Sequence, residues 1–107
     1  MRVRIYQIDM SRDQHQLVFR GHEDFQRKCG DRIPAELYRK VFDGALEVDN
    51  PEQVFAIFNT SRPEGYTGWS LSVSDVVEFV DEGKFYFCDY IGFKPVRFVP
   101  EGEEGSI

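Results

Sequence analysis

The chain has 107 residues, with nineteen acids against thirteen bases and a net charge of −6. That length suits one domain, which buries roughly two thirds of its unfolded surface and needs no metal or disulfide to staple its core. Nucleic-acid binders draw affinity from Lys and Arg on phosphates, and no basic run here exceeds Arg27-Lys28 or Arg39-Lys40, so nucleic acid and anionic membrane surfaces are disfavoured as partners.

Sixteen residues are aromatic, ten of them Phe. Large rings each bury about 150–250 Å², so either the core is ring-rich or some rings face a partner. The start, MRVRIYQIDM, lacks the apolar run of a signal peptide, and no segment approaches the roughly 20 apolar residues of a membrane span. A cytoplasmic setting is the expectation, in which Cys29 and Cys88 are two reduced thiols, though a single disulfide fits the sequence as well.

In RVRIYQID, residues 2–9, Val3, Ile5 and Gln7 alternate with Arg4 and Tyr6, a period of two that predicts a strand. MSRDQHQ is turn-like, and LVFRG predicts a second short strand pairing with the first. HEDFQRKCGDRI has weak helical character closed by Gly30. PAELYRKVFDG reads as a helix: Pro34 suits its first turn, Gly44 its left-handed stop, and Leu37, Tyr38, Val41 and Phe42 form one apolar stripe. The next helix carries the clearest local signal. Asn50 is its cap, Pro51 its first residue and Gln53 completes a capping-box pattern, with Val54, Phe55, Ile57 and Phe58 facing inward.

SRPEGYTG is a loop by its Pro and Gly content. After it, VVEFV, KFYFCDY and FKPVRFV, separated by Asp81-Glu82-Gly83 and Ile91-Gly92, predict a three-stranded antiparallel meander whose Pro95 marks an edge or a bulge. The expected fold is α+β, with one mainly antiparallel sheet of about five strands. Those strands are an N-terminal pair plus the C-terminal meander, and two or three central helices cover one face. Residues 1–99 form the single domain and 100–107, PEGEEGSI, an acidic, Gly-rich tail.

The segment GYTGWSLSVSDVVEF, residues 65–79, has the densest set of chemistry-bearing side chains. Gly68-Trp69-Ser70-Leu71-Ser72 falls one residue short of a nucleophile elbow, and the two histidines, His15 and His22, lie near the other end of the chain, which disfavours a serine hydrolase. The simpler reading is structural. Ser72, Ser74 and Asp75 bond nearby backbone groups in a turn that delivers Val76 to the sheet, with Leu71 and Val73 as its apolar anchors.

His15, His22 and Cys29 recur every seven residues, which lacks the close ligand pair of a zinc site, so no metal is expected. KFYFCDYIGF compares poorly with the RNA-stacking octamer because Phe85 and Phe87 fill its small positions. GYTG lacks the Lys-Ser/Thr ending of a phosphate loop. Phe85 and Phe87 alternate with Tyr86, Cys88 and Tyr90, and one of these sets is either a cover for the helices or an exposed aromatic surface of the kind protein partners use.

Leu71-Ser72-Val73-Ser74-Asp75-Val76-Val77, Phe87-Cys88-Asp89 and Ile91-Gly92-Phe93, with YRKVFDGALEVDNPEQVFAIFN and PEGYTGWSLS upstream, resemble the YodL-like family of small bacterial proteins. The likeness runs from about Ile33 to Phe98 and more weakly over the N-terminal strands. It implies an origin in Firmicutes chromosomes or mobile elements and a family with no established enzymatic activity or cofactor, so that no catalytic residues carry over. Ser74 stands where the related pattern SVGDV has glycine.

The resulting expectation is a non-enzymatic cytoplasmic module that contacts a bacterial protein partner through the loop Pro63 to Ser70 and the nearby aromatic sheet face, with Tyr66, Trp69, Ser70, Tyr86 and Tyr90 as contact residues. The alternative is an acidic antagonist that occupies the basic groove of a DNA-processing enzyme. A small hydrolase ranks third.

Overall fold

Alternating side chains make the first strand, β1 (Arg2–Ile8), a two-sided buried element: Val3, Ile5 and Gln7 point to one face and Ile8 to the other, all fully buried. The computed structural model describes residues 1–30, 32–61 and 63–99, so the tail 100–107 lies outside the described residues. β1 pairs antiparallel with β3 (Tyr38–Ala45) on one side and β4 (Val76–Phe79) on the other. β5 (Lys84–Cys88) and β6 (Phe93–Val99) extend β4 as an antiparallel meander, and the short β2 (Arg32–Pro34) joins β6 in parallel. The six strands lie in the order β2-β6-β5-β4-β1-β3.

That order requires curvature. β2 and β3 occupy opposite edges, yet only the 3₁₀ turn Ala35–Leu37 joins them. Four Cα steps span at most about 14 Å, whereas five flat strand spacings would separate the edges by about 24 Å. The sheet therefore curls until its edges approach. The rings agree: Tyr38 of β3 meets Phe98 of β6 with centroids 5.1 Å apart, and Tyr6 of β1 meets the same ring at 4.8 Å.

The concave side holds one core, built from Ile8, Ile33, Tyr38, Val76, Phe87 and Phe98. Phe25 of helix α1 (His22–Cys29) joins that core and stands edge-on to Phe87, with centroids 4.9 Å apart. The convex side holds a second core around Val3, Ile5, Phe42, Val77 and Phe79. Helix α2 (Pro51–Thr60) covers it with Val54 and Phe58. α2 begins as its sequence dictates. The Asn50 side chain accepts from the Gln53 backbone N–H at 2.9 Å, Pro51 is the first helical residue, and Gln53 reaches back to accept from the Asp49 N–H at 2.6 Å.

Four expectations are corrected. Residues 17–21 form no strand. The Asp13 carboxylate accepts the Leu17 and Val18 N–H groups at 2.8 and 2.9 Å, and Phe19 adopts a left-handed φ of 64°, so β1 takes its neighbours from later in the chain. The second predicted helix is mostly β3, which has a bulge: Ile5 pairs with Phe42 and Tyr6 with Lys40, leaving Val41 unpaired so that Val41 and Phe42 both turn into the convex core. The helices serve opposite faces of the sheet rather than one. Phe55 points outward from α2 and is 38% exposed. The meander stands as read from the sequence, and β2 covers only residues 97–99 of β6, leaving Pro95 on the half that has β5 as its single neighbour.

Candidate functional site

Gln7 places an amide on the strand face that Val3 and Ile5 otherwise occupy, and it is fully buried. Such a group must be bonded. Its Nε2 shares two N–H groups among three acceptors, the Asp75 carboxylate (3.0 Å), the Trp69 carbonyl (2.9 Å) and the Tyr66 hydroxyl (3.1 Å), while its Oε1 accepts the Trp69 backbone N–H (3.2 Å). The Tyr66 hydroxyl in turn donates to the Trp69 carbonyl. Gly68 admits this approach: a Cβ there would overlap Gln7 Oε1. The loop is also sealed to the bulge of β3, whose Val41 carbonyl accepts the Thr67 N–H at 3.1 Å.

Asp75 closes the other end of this hub. Its Oδ2 accepts the Ser72 N–H at 2.8 Å as well as Gln7, and its Oδ1 is buried without a donor among the described residues. Burial pushes the carboxyl up to about 8, against the two N–H bonds that favour its charge. The Ser74 backbone sits at φ 82°, the left-handed region that favours glycine. The serine compensates by accepting the Phe19 N–H at 3.0 Å, while the Tyr38 hydroxyl donates to the Ser74 carbonyl at 2.7 Å. The Ser72 hydroxyl donates to the Ser70 carbonyl at 3.0 Å. Each of these contacts orients backbone. Leu71 is a buried anchor as read from the sequence, and Val73 is half-buried.

The five expected contact residues fall in separate places. Tyr66 and Trp69 lie beside the hub, and Ser70 is next to them. Tyr66 packs edge-on against Phe58 at 4.8 Å. The Trp69 ring lies 5.8 Å from Phe19 and 5.9 Å from the Arg39 guanidinium, and its Nε1 is buried with no acceptor among the described residues. Tyr86 is half-buried against Phe79 at 5.5 Å on the convex face. Tyr90 lies apart, on the turn between β5 and β6, and is 66% exposed.

That turn carries the most exposed of the large apolar side chains, Ile91, 92% accessible. Beside it Tyr90, Gly92, Phe93 and the outward Phe55 of α2 line a recess of about 190 Å³, with Glu52 and Asp89 at its rim. Burial alone would raise the Asp89 carboxyl, but the Tyr90 and His22 N–H groups and the Lys94 ammonium at 3.2 Å hold it below the usual range. Sequence reading misses Ile91 and Phe55 as surface groups. An isoleucine placed between two strand runs, beside a turn glycine, is the signal that points to the first.

Cys29 and Cys88 are free thiols, and burial pushes Cys88 up to about 12. His15 is exposed and the His22 ring packs on Phe87 at 5.6 Å. Among the described residues no cluster of three His, Cys, Asp or Glu could hold a metal ion, and no helix is long and apolar enough to cross a membrane. The family model of the YodL-like domain matches residues 2–98. No curated protein and no solved structure matches the chain.

Proposed function

This chain belongs to the YodL-like domain family, and from that premise we propose that it is a non-enzymatic module whose work is to bind another protein. The carrying observation is the tip of the β5–β6 hairpin, where Ile91 is 92% and Tyr90 66% exposed beside the recess lined by Phe55 and Phe93. Adjacent exposed rings and aliphatics of this kind mark contact surfaces in otherwise soluble domains. Glu52 at the recess and the net charge of −6 favour a basic partner that seats an apolar side chain there. A cytoplasmic setting, in which both thiols stay reduced, suits this reading.

Trp69 and Tyr66 play a different part in it. The Tyr66 hydroxyl and the Trp69 backbone are committed to Gln7, which makes this pair supports of the loop rather than the contact itself. Affinity capture from the source cell with wild-type protein, Ile91→Asp and Trp69→Ala tests the assignment, with circular dichroism confirming that each variant is folded. Ile91→Asp is expected to lose a basic protein that wild type retains. Capture unchanged by Ile91→Asp but lost with folded Trp69→Ala would move the contact to the loop.

A further inference from the structure

The cations of this acidic protein are unevenly placed. Two adjoining recesses, of about 340 and 750 Å³, share His15 and Lys28 as a common wall. Together they are lined by five cations, Arg12, Arg20, Arg27, Lys28 and Arg32, against two carboxylates, Asp24 and Glu36. Arg27 is engaged by Asp24, Arg32 by Glu36, and Arg12 lies 3.5 Å from Asp9. Arg20 and Lys28 have no carboxylate within ion-pair distance among the described residues. With Asp9 counted, five cations face three carboxylates among the described residues, a surplus of two positive charges at the groove in a chain of charge −6.

The end of the sheet points at this groove. β6 runs parallel to β2 with Val99 paired to Pro34, and Pro34 itself lines the larger recess beside Arg12, Arg32 and Leu37. Val99, the last described residue, therefore sits beside the groove wall. The residues that follow are PEGEEGSI, with carboxylates at Glu101, Glu103 and Glu104. Eight residues reach at most about 26–29 Å, comparable to the longest dimensions of the fold, 34 × 29 × 24 Å, so a groove that begins at Pro34 is well within range.

We propose that this groove is the docking site of the chain's own acidic segment, 100–107. Exposed ion pairs contribute only about 0–1 kcal/mol each. A short tether, however, holds the segment at an effective concentration in the millimolar range, so a few weak contacts populate the docked state. The contact is electrostatic and weakens as salt screens it. An external anionic peptide reaches the groove only by displacing the segment.

Zero-length carbodiimide coupling tests this, because it joins a carboxylate to a lysine amine only when the two touch. Cleavage after Arg97 isolates FVPEGEEGSI as one peptide, and the chain offers four lysines, Lys28, Lys40, Lys84 and Lys94. Lys84 is exposed with no acid partner among the described residues and serves as the reference for amine reactivity. The expected result is a link from the segment to Lys28 severalfold stronger than to Lys84, confined within one molecule in a mixture of ¹⁴N- and ¹⁵N-labelled protein. It should fall in 1 M NaCl and in Arg12→Glu, a surface variant that keeps both coupling groups. Equal links to Lys28 and Lys84, links mainly between molecules, or a Lys28 link indifferent to salt and to Arg12→Glu would each overturn the proposal.

Discussion

Ser74 shows how a strained backbone angle is balanced by a side-chain bond. At φ 82° a side chain costs roughly 1 kcal/mol relative to glycine. The hydroxyl offsets this by taking the Phe19 N–H, a bond contributing about 1 kcal/mol. Ser74→Gly relieves the strain and loses the bond, so its stability should stay within about 1 kcal/mol of wild type. Ser74→Ala keeps the strain and loses the bond, and should be destabilised by about 1–2 kcal/mol. Urea unfolding of the two variants checks the order, Gly above Ala. Gln7 makes the complementary point. Its inward placement is legible from the period of two, but its partners are not, because Tyr66, Trp69 and Asp75 lie 59, 62 and 68 residues away and reach it only once the chain has folded back on β1.

At the scale of elements, local signals suffice where local bonds decide. α2 starts at a side-chain cap and a proline that need no tertiary contact, and its start follows from them. Asn50→Ala should therefore cost about 1 kcal/mol and lower the melting temperature by roughly 4 °C or more, measurable by calorimetry. β3 misleads for a physical reason. Its bulge turns Val41 and Phe42 inward together, so Tyr38, Val41 and Phe42 recur at spacings of three and four, the signature of a helix stripe. Gly44, a helix stop by its sequence context, instead pairs with Val3 inside the strand and lies under the Phe42 ring, where a Cβ would come within 2.8 Å. The absent strand at 17–21 has the same root: the Asp13 carboxylate takes N–H groups a ladder would need.

At the scale of the whole molecule, two faces of one curled sheet divide the labour. The concave core and α1 close the fold, the convex core carries α2 and the loop, and the exposed apolar tip sits where the meander turns. Membership of the family is legible from patterned stretches, whereas the clustering of cations around Lys28 is not, because Asp13, Glu23, Asp24 and Asp31 are interleaved with those cations in the sequence. The central claim is that Asp75, with Gln7, holds the loop to the sheet as a buried, proton-bearing group.

The folded carboxyl keeps its proton up to about 8, whereas the unfolded chain releases it near 3.8, so the stabilisation is full below the lower value and lost as pH rises toward the higher one. Asp9, Asp43 and Asp89, all shifted down, act in the opposite sense and only in the acid range below about 4. The most direct measurement is the urea midpoint of wild type and Asp75→Asn from about pH 5 to about pH 8. Wild type should lose stability steadily across that range and the asparagine variant should stay nearly level. Parallel profiles for the two proteins, or a wild type that gains stability toward pH 8, would contradict the buried, protonated role of Asp75.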